Sequence, residues 1–304
     1  MSLNYLRIGQ RLRAFRLGSG LSADEVARRI GISRTALYRF EKGEVVKIET
    51  INSLAELLNV SLATLLGVEI EYISSAVTYF ERIRQLEESA DRIVVLAGPI
   101  SFLLSSQTFA EGLEVLLKES VTGRPGGAGP AGPGQQKMLQ DVERIIDILR
   151  ARKQAYEARR PSIVNLISAL DLERLLRSGF VGCPFISPAE IAERRRRARE
   201  EVAHFAHLLE AEPIGIQIGL VTGTLPHTGF QIFRSGDLKT LTISPFRLGE
   251  QPNVRLGVAM ITSTQEAVAL HEGIVEELWR DALKGREAAA YLRELIAAVD
   301  RSDG

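Results

Sequence analysis

The amino-acid sequence predicts an all-α N-terminal domain over residues 1–69 and a mixed α/β (α+β) domain over residues 70–304. Three observations carry this prediction. Apolar residues recur at spacings of three and four in the first 69 residues, which is typical of short helices. Beyond residue 70, strand-like and helix-like segments are mixed along the chain. A turn at residues 235–237 contains glycine and joins two strand-like segments, which predicts an antiparallel hairpin in the second domain's sheet.

Five short helices are predicted in the first domain. The first carries an apolar stripe of Ile8, Leu12 and Phe15, and the second begins with an S-x-x-E pattern that is typical of a capping box, from Ser22 to Glu25. The third begins at a serine, and the last two cover residues 51–58 and 61–66. Each helix ends at a residue or stretch that favours termination: Gly18 to Gly20, Gly31, Gly43, Asn59 and Gly67.

In the second domain we expect helices over residues 73–91, 108–118, 137–159, 171–177, 187–210, 262–283 and 286–299. Strands are expected over residues 92–97, 162–167, 214–221, 229–234, 238–244 and 254–262. The segment 123–136 is rich in glycine and proline and has too little apolar surface to fold by itself. We therefore predict that it is a flexible loop.

Composition excludes several classes of protein. The chain has 304 residues, with 38 Lys and Arg balanced by 38 Asp and Glu, and its 45% hydrophobic residues are typical of a globular protein. A single cysteine excludes an intrachain disulfide and a cysteine-based zinc site. No apolar run reaches the ~20 residues of a membrane span, and the N-terminus does not resemble a signal peptide. We therefore expect a cytoplasmic protein with no membrane partner.

The segment 21–43, LSADEVARRIGISRTALYRFEKG, carries the most specific pattern in the chain. Two helices that cross closely need a small residue on the first helix, and Ala27 supplies it. The turn between them needs a residue that tolerates positive φ, and Gly31 lies four positions later. Apolar residues would hold both helices in the core. The second helix keeps an outward face of four residues: Arg34, Thr35, Tyr38 and Arg39.

With this spacing, residues 8–67 resemble the DNA-binding domain of the Cro/repressor (Xre) family of bacterial and phage regulators. The resemblance implies that the second motif helix lies in the major groove of a double-stranded DNA operator. It also implies a set of DNA-binding residues: Ser22, Ser33, Arg34, Thr35, Tyr38, Arg39, Lys42 and Lys47. Family members usually carry Gln where this chain has Ala23, so one expected phosphate contact is missing or replaced.

Charge is distributed unevenly between the two predicted domains. Residues 1–69 contain ten Lys and Arg and seven Asp and Glu, whereas the remainder contains 28 and 31. A basic N-terminal domain is consistent with DNA binding, although a surplus of three positive charges is modest. Because one such domain covers a single half-site, we expect the protein to act as a homodimer.

The second domain is far longer than a dimerisation helix requires. We expect a one-component transcriptional regulator in which this domain binds an unknown small-molecule effector and changes the affinity for DNA. Its order of elements weakly resembles the α/β effector domains fused behind Xre-type modules. Candidate pocket residues are His227 in the loop before the hairpin, Phe230 in the hairpin, and His271 and Trp279 on a long helix.

Catalysis is the less favoured interpretation of this domain. The sequence has no Walker loop, no G-x-G-x-x-G and no G-x-S-x-G, so we expect no catalytic residues and no cofactor. His204 and His207 have a spacing that can bind metal, but no carboxylate-rich motif accompanies them, so no metal site is predicted. Two alternatives stay open: an antitoxin or phage-type repressor whose second domain binds a protein, and an enzyme tethered to DNA.

Overall fold

A computed structural model describes residues 4–45, 47–67, 70–96, 98, 100–127, 129, 132–226 and 228–303. Its N-terminal part forms the five predicted helices: α1 (Tyr5–Ser19), α2 (Ala23–Arg29), α3 (Arg34–Glu41), α4 (Ile48–Leu57) and α5 (Leu62–Leu66). Serine hydroxyls cap three of them, because Ser22, Ser33 and Ser61 each accept a hydrogen bond from the backbone N–H three residues later. The five-helix prediction is confirmed.

The predicted capping box at Ser22 forms only in part. The Ser22 hydroxyl accepts the bond from the Glu25 N–H at 3.1 Å, but the Glu25 carboxylate forms an ion pair with Arg29 on the same helix. A complete capping box occurs instead at Ser187, where the Glu190 carboxylate accepts a bond from the Ser187 backbone. Arg29 thus takes the carboxylate that the box at Ser22 requires, whereas Arg194, four residues after Glu190, pairs with Glu119 instead.

The remaining described residues form seven strands and seven further α-helices. The strands are β1 (Glu71–Ile73), β2 (Arg92–Leu96), β3 (Ser162–Ser168), β4 (Ile216–Val221), β5 (Phe230–Ser235), β6 (Leu238–Ile243) and β7 (Ala259–Thr262). The helices are α6 (Ala76–Ser89), α7 (Gln107–Thr122), α8 (Pro133–Arg159), α9 (Ala169–Ser178), α10 (Pro188–Ala211), α11 (Gln265–Asp281) and α12 (Gly285–Asp303).

The seven strands form one mixed sheet in the order β1-β7-β6-β5-β2-β3-β4. Strands β2, β3 and β4 are parallel, and helical crossovers connect them. All other pairings are antiparallel. The predicted hairpin of β5 and β6 is confirmed, but its loop has two residues rather than three, because Ser235 pairs with Leu238.

The two faces of the sheet are covered to different extents. One face packs into a large core with α6, α8, α9, α10 and α12. The opposite face packs into a smaller cluster with α11, in which Val268 is the one fully buried residue of that helix. The large core also contains Leu12, Phe15 and Leu37 of the N-terminal helices. Because this core is continuous across residue 70, the boundary between the two domains stays a prediction.

Several predicted boundaries differ from the structure. Strand β1 was missed, since residues 71–73 lie just before or within the predicted helix 73–91, and α6 starts at Ala76. The predicted strand 254–262 is a strand only from Ala259, because residues 244–258 form a long loop. In the Gly- and Pro-rich segment a short 3-10 turn covers Pro125–Gly127 and α8 starts at Pro133. Residues 128, 130 and 131 lie outside the described ones, so the flexibility of this segment stays a prediction.

Candidate functional site

The α2–turn–α3 unit has the geometry that its sequence predicts. Ala27 is buried on α2, and the Ile32 N–H donates to the Ala27 carbonyl at 3.0 Å across the turn. Gly31 has a φ of +72°, a conformation in which a side chain would be strained. Helix α3 then begins at Ser33 and buries Leu37 against the core. The outer face of α3 is left facing away from the protein.

Four predicted DNA-binding residues form this outer face. Arg34, Thr35, Tyr38 and Arg39 are all exposed, and the side chains of the two arginines are 56% and 62% accessible. They lie on one side of α3 because their spacings are one, three and four residues. The structure therefore brings these four residues together on one surface, which is hereafter called the α3 surface.

Arg34 is held in an extended position by two neighbours. Its Nη1 donates to Asp24 Oδ2 at 3.2 Å, and its Nη2 donates to the Tyr38 hydroxyl at 3.2 Å. The guanidinium also lies 5.3 Å from the centre of the Tyr38 ring. The hydrogen bond that Arg34 donates to Tyr38 and the charge of Asp24 raise the pKa of Arg34 above its ordinary value. Arg34 thus stays charged, with its position set by α2 and α3 together.

Arg39 is paired with a carboxylate beyond the end of α3. Its Nε donates to both Glu44 oxygens, at 2.8 and 2.7 Å. This hydrogen bond raises the pKa of Arg39 and lowers that of Glu44. Both groups are therefore charged at neutral pH, and a DNA ligand would have to displace or share this pair.

The other predicted DNA contacts surround the α3 surface. Lys42 follows α3 and Lys47 precedes α4, and both are exposed without an ion pair to any residue that the structure describes. Ser22 and Ser33 are exposed, but their hydroxyl oxygens already accept the helix-capping bonds. The two lysines are free to contact phosphates, whereas the two serines have a structural role as well.

Sequence reasoning missed a buried ion pair that supports α3 from below. Arg16 of α1 donates from Nε and Nη2 to the Glu41 carboxylate of α3, at 2.5 and 3.0 Å. Both residues are only 8% exposed. The pair fixes the end of α3 to α1. The sequence offered little indication of this ion pair, since a charged residue on a predicted helix is more often at the surface.

A second buried network, also missed, joins α1 to the mixed α/β part. Glu71 of β1 accepts bonds from Arg11 of α1 and from Arg82 of α6, with N–O distances of 2.5 to 3.0 Å. Gln85 of α6 donates to the Gln10 carbonyl of α1 at 3.0 Å. A Cβ at Gly18 would lie 1.7 Å from the Thr78 hydroxyl, so α1 and α6 approach closely. These contacts are hereafter called the α1–α6 junction.

A large cavity lies at the carboxyl ends of the parallel strands β2 and β3, where open α/β sheets commonly bind ligands. Its volume is about 1170 Å³. One wall is formed by the loop 244–258, in which the Phe246 ring packs 5.7 Å from that of Tyr79 on α6. Tyr79 and Phe80 line the cavity, so α6 contacts both the cavity and α1.

Of the three predicted pocket residues that the structure describes, one lines the cavity. Phe230 lines the cavity, whereas His271 and Trp279 lie on α11 and are not among the lining residues. The His271 ring packs edge-on against Phe230 at 4.8 Å, and Lys284 lies 5.0 Å from the Trp279 ring. His227 lies outside the described residues, although its neighbours Pro226 and Thr228 line the cavity. A ligand-binding role for these residues stays a prediction.

The remaining titratable candidates have structural partners. The His204 Nε2 lies 2.9 Å from the Leu104 carbonyl, and Cys183 is buried with a pKa that burial raises above its ordinary value. Within the described ranges no group of three or more His, Cys, Asp or Glu side chains is placed to hold a metal ion. Of the helices that the described residues form, none combines the length and apolar character needed to cross a membrane.

Comparison with known proteins agrees with this geometry at the N-terminus. No curated protein matches the chain. Residues 7–66, about a fifth of the chain, match a family model described as a helix-turn-helix domain. This match spans α1 to α5 almost completely and includes the α3 surface. The N-terminal part of the protein is therefore a helix-turn-helix domain, followed by a mixed α/β part.

Proposed function

We propose that this protein is a cytoplasmic, homodimeric transcriptional regulator of the Xre type, which binds a specific DNA operator and senses a small molecule through its α/β part. The observation that carries the proposal is the α3 surface, where two exposed arginines, a threonine and a tyrosine lie on the second helix of a helix-turn-helix domain. Such a helix enters the major groove, and its side chains contact base edges. The proposal includes no catalytic step, cofactor or metal.

Two features support a sensing role for the α/β part. The cavity is large enough for a drug-sized molecule, since ligand sites usually measure about 300–1000 Å³. Helix α6 connects this cavity to the helix-turn-helix domain, because it lines the cavity with Tyr79 and holds α1 directly through Gln85 and indirectly through the bond of Arg82 to Glu71, which also binds Arg11 of α1. A ligand that moves α6 would therefore also move the helix-turn-helix domains of a dimer relative to each other.

The DNA-binding part of the proposal is tested with variants of the α3 surface. An operator is first selected from random double-stranded DNA with the full chain, and its affinity is then measured by gel shift. We expect Arg34→Ala and Arg39→Ala each to weaken operator binding about tenfold or more, since each would lose a contact to a base. Arg29→Ala is the matched control, because Arg29 is exposed on α2 and lies outside the α3 surface.

Three outcomes bear on the proposal. Weakened binding by both α3 variants with an unchanged melting temperature, and unchanged binding by Arg29→Ala, would support it. Wild-type affinity in both α3 variants would refute the assignment of α3 as the helix that contacts the bases. A selection that enriches no sequence would refute operator-specific binding altogether.

A further inference from the structure

Two of the three arginines in the described cavity lining are paired with carboxylates. Arg152 donates from Nε and Nη2 to the Glu87 carboxylate at 2.8 and 2.7 Å and is 5% exposed. The same guanidinium lies 5.2 Å from the Phe102 ring and 5.9 Å from the Phe80 ring. Arg152 is therefore held on both sides and is bound to a carboxylate, which leaves little of its charge for a ligand.

The second arginine of the wall, Arg174, lies between two carboxylates. Its Nε donates to Glu250 at 2.8 Å, and its Nη2 lies 3.1 Å from Asp171. Glu250 is buried and also accepts the Ser178 hydroxyl at 2.9 Å. This cluster carries one net negative charge, so it would not attract an anion.

The third arginine balances that charge. Arg247 lies on the loop 244–258, is exposed, and donates to the Gln251 carbonyl at 2.8 Å. The described lining thus contains three arginines, and their charge is balanced by Asp171, Glu250 and the Glu87 carboxylate behind Arg152. A phosphate ester carries about −2 at neutral pH and would be desolvated here without a compensating positive charge.

Apart from the Arg247 guanidinium, which bonds a backbone carbonyl through Nε, the uncommitted polar groups of the described lining are neutral. Five lining side chains make no hydrogen bond to any residue that the structure describes: Ser101, Thr224, Thr228, Gln231 and Gln251. They provide three hydroxyl and two amide groups, each able to donate and to accept. These groups are the ones from which a ligand could gain hydrogen bonds without breaking those of the protein.

Aromatic residues are more frequent in the rest of the lining than in the chain as a whole, of which they make up 6%. Five aromatic residues contribute to it: Tyr79, Phe80, Phe102, Phe230 and Phe246. Phe246 and Tyr79 are almost fully buried and pack against each other where the loop 244–258 meets α6. Four of the five rings are buried and Phe102 is half-buried, so they form a rigid apolar wall of limited area, which favours a ligand with an apolar face.

We propose that the cavity binds an uncharged, amphipathic small molecule that has several hydroxyl or amide groups and an apolar face, and that it discriminates against phosphorylated ligands. This inference rests on the sensing role proposed above and names the chemical class of the ligand. Neutral hydrogen bonds to Gln231 and its neighbours give orientation, and the aromatic walls give affinity. The ion pairs of Arg152 and Arg174 hold the walls in place.

The proposal is tested by thermal shift of the full chain with matched pairs of compounds. Each pair contains a neutral molecule and its phosphate ester, such as a hexose and a hexose phosphate, a ribonucleoside and its monophosphate, or an aromatic alcohol and its phosphate. We expect at least one neutral member to raise the melting temperature by a few degrees, because it binds the folded state alone. Its phosphate ester should give no rise.

Variants then locate the binding site. Gln231→Ala should raise the dissociation constant of the neutral compound about fivefold, which is the usual effect of losing one hydrogen bond. Gln217→Ala is the matched control, because Gln217 is exposed on β4 and does not line the cavity.

The outcomes separate this inference from the proposed function. A larger shift by a phosphate ester than by its neutral partner would overturn the ligand class, and so would a panel in which no neutral member binds. A neutral compound that binds the cavity but leaves operator affinity unchanged would confirm the class and refute the sensing role. A charged compound that binds the cavity and changes operator affinity would refute the ligand class and support the sensing role.

Discussion

At the scale of single residues, the α3 surface places the two arginines that we propose contact bases beside carboxylates. Arg39 is bound by Glu44 and Arg34 by Asp24. The Arg39 hydrogen bond lowers the pKa of Glu44, so this carboxylate stays negative at neutral pH. In the proposed complex, each carboxylate would compete with DNA for its arginine and would repel phosphate. We therefore expect Asp24 and Glu44 to limit the affinity for DNA.

The first prediction concerns Glu44→Gln, which removes the charge but keeps the shape of the side chain. We expect operator affinity to rise roughly two- to fivefold, because an exposed ion pair is weak and its loss releases Arg39 for DNA. Fluorescence anisotropy with labelled operator DNA measures the change. Glu56→Gln, which alters an exposed carboxylate on α4 that bonds Asn52, is the control. Equal or lower affinity in Glu44→Gln would contradict this role of Glu44.

Local sequence patterns predicted which residues form the α3 surface, because helix caps and apolar spacing act within a few residues. Ser33 and Gly31 fix where α3 begins, and Leu37 fixes the side that faces the core. The Arg16–Glu41 pair could not be predicted in this way, since its partners lie 25 residues apart. A charge that is buried by tertiary contact looks like a surface charge in the sequence.

At the scale of elements, the α1–α6 junction depends on one buried carboxylate. Burial alone would raise the pKa of Glu71, but the charges of Arg82 and Arg11 lower it below its ordinary value of 4.5. Glu71 therefore stays ionised and binds α1, β1 and α6 together. Because its pKa is lower in the folded state, its contribution to stability is present above about pH 4.5 and is lost as the pH falls through the folded value.

The second prediction is that Glu71→Gln lowers the free energy of unfolding by about 3–5 kcal/mol, because two buried guanidinium groups lose their counter-charge. Urea denaturation at pH 7 measures this loss. Glu88→Gln is the matched control: Glu88 lies on α6 like Arg82, but its carboxylate, which pairs with Arg84, is 46% accessible. A change no larger than that of Glu88→Gln would show that the junction does not depend on Glu71.

The third prediction concerns pH. The difference in unfolding free energy between the wild-type chain and Glu71→Gln should be largest near neutral pH and should shrink as the pH falls below 4.5. The reason is that protonation of Glu71 removes the same charge as the substitution does. Parallel urea titrations at pH 7 and at successively lower pH test this. A difference that is constant with pH would mean that Glu71 acts through shape and not charge.

Elements with long periodic patterns were predictable, and those defined by tertiary pairing were not. Helices such as α10 and hairpin β5–β6 carry their own caps or turn residues. Strand β1 has three residues and exists because it pairs with β7, almost 190 residues later in the chain. The cavity has the same origin, since its walls come from α6, the strand ends and the loop 244–258. No local sequence pattern could therefore predict the cavity.

At the scale of the whole molecule, the small positive charge of the helix-turn-helix domain makes the number of phosphate contacts important. Lys42 and Lys47 have no ion pair with a described residue, so each can neutralise a phosphate. Each phosphate that is neutralised on double-stranded DNA contributes about −0.9 to the slope of log K against log salt concentration. In a homodimer each lysine occurs twice, so the slope also reports the number of chains bound.

The fourth prediction follows from this arithmetic. Lys42→Ala should weaken operator binding and make the salt slope less steep by about two if a dimer binds, or by about one if a monomer binds. Anisotropy titrations over a series of salt concentrations measure the slope. Arg280→Ala is the control, because Arg280 is exposed on α11, on the sheet face opposite α6, and should leave the slope unchanged. A change near one would contradict the dimer, and no change would exclude Lys42 as a phosphate contact.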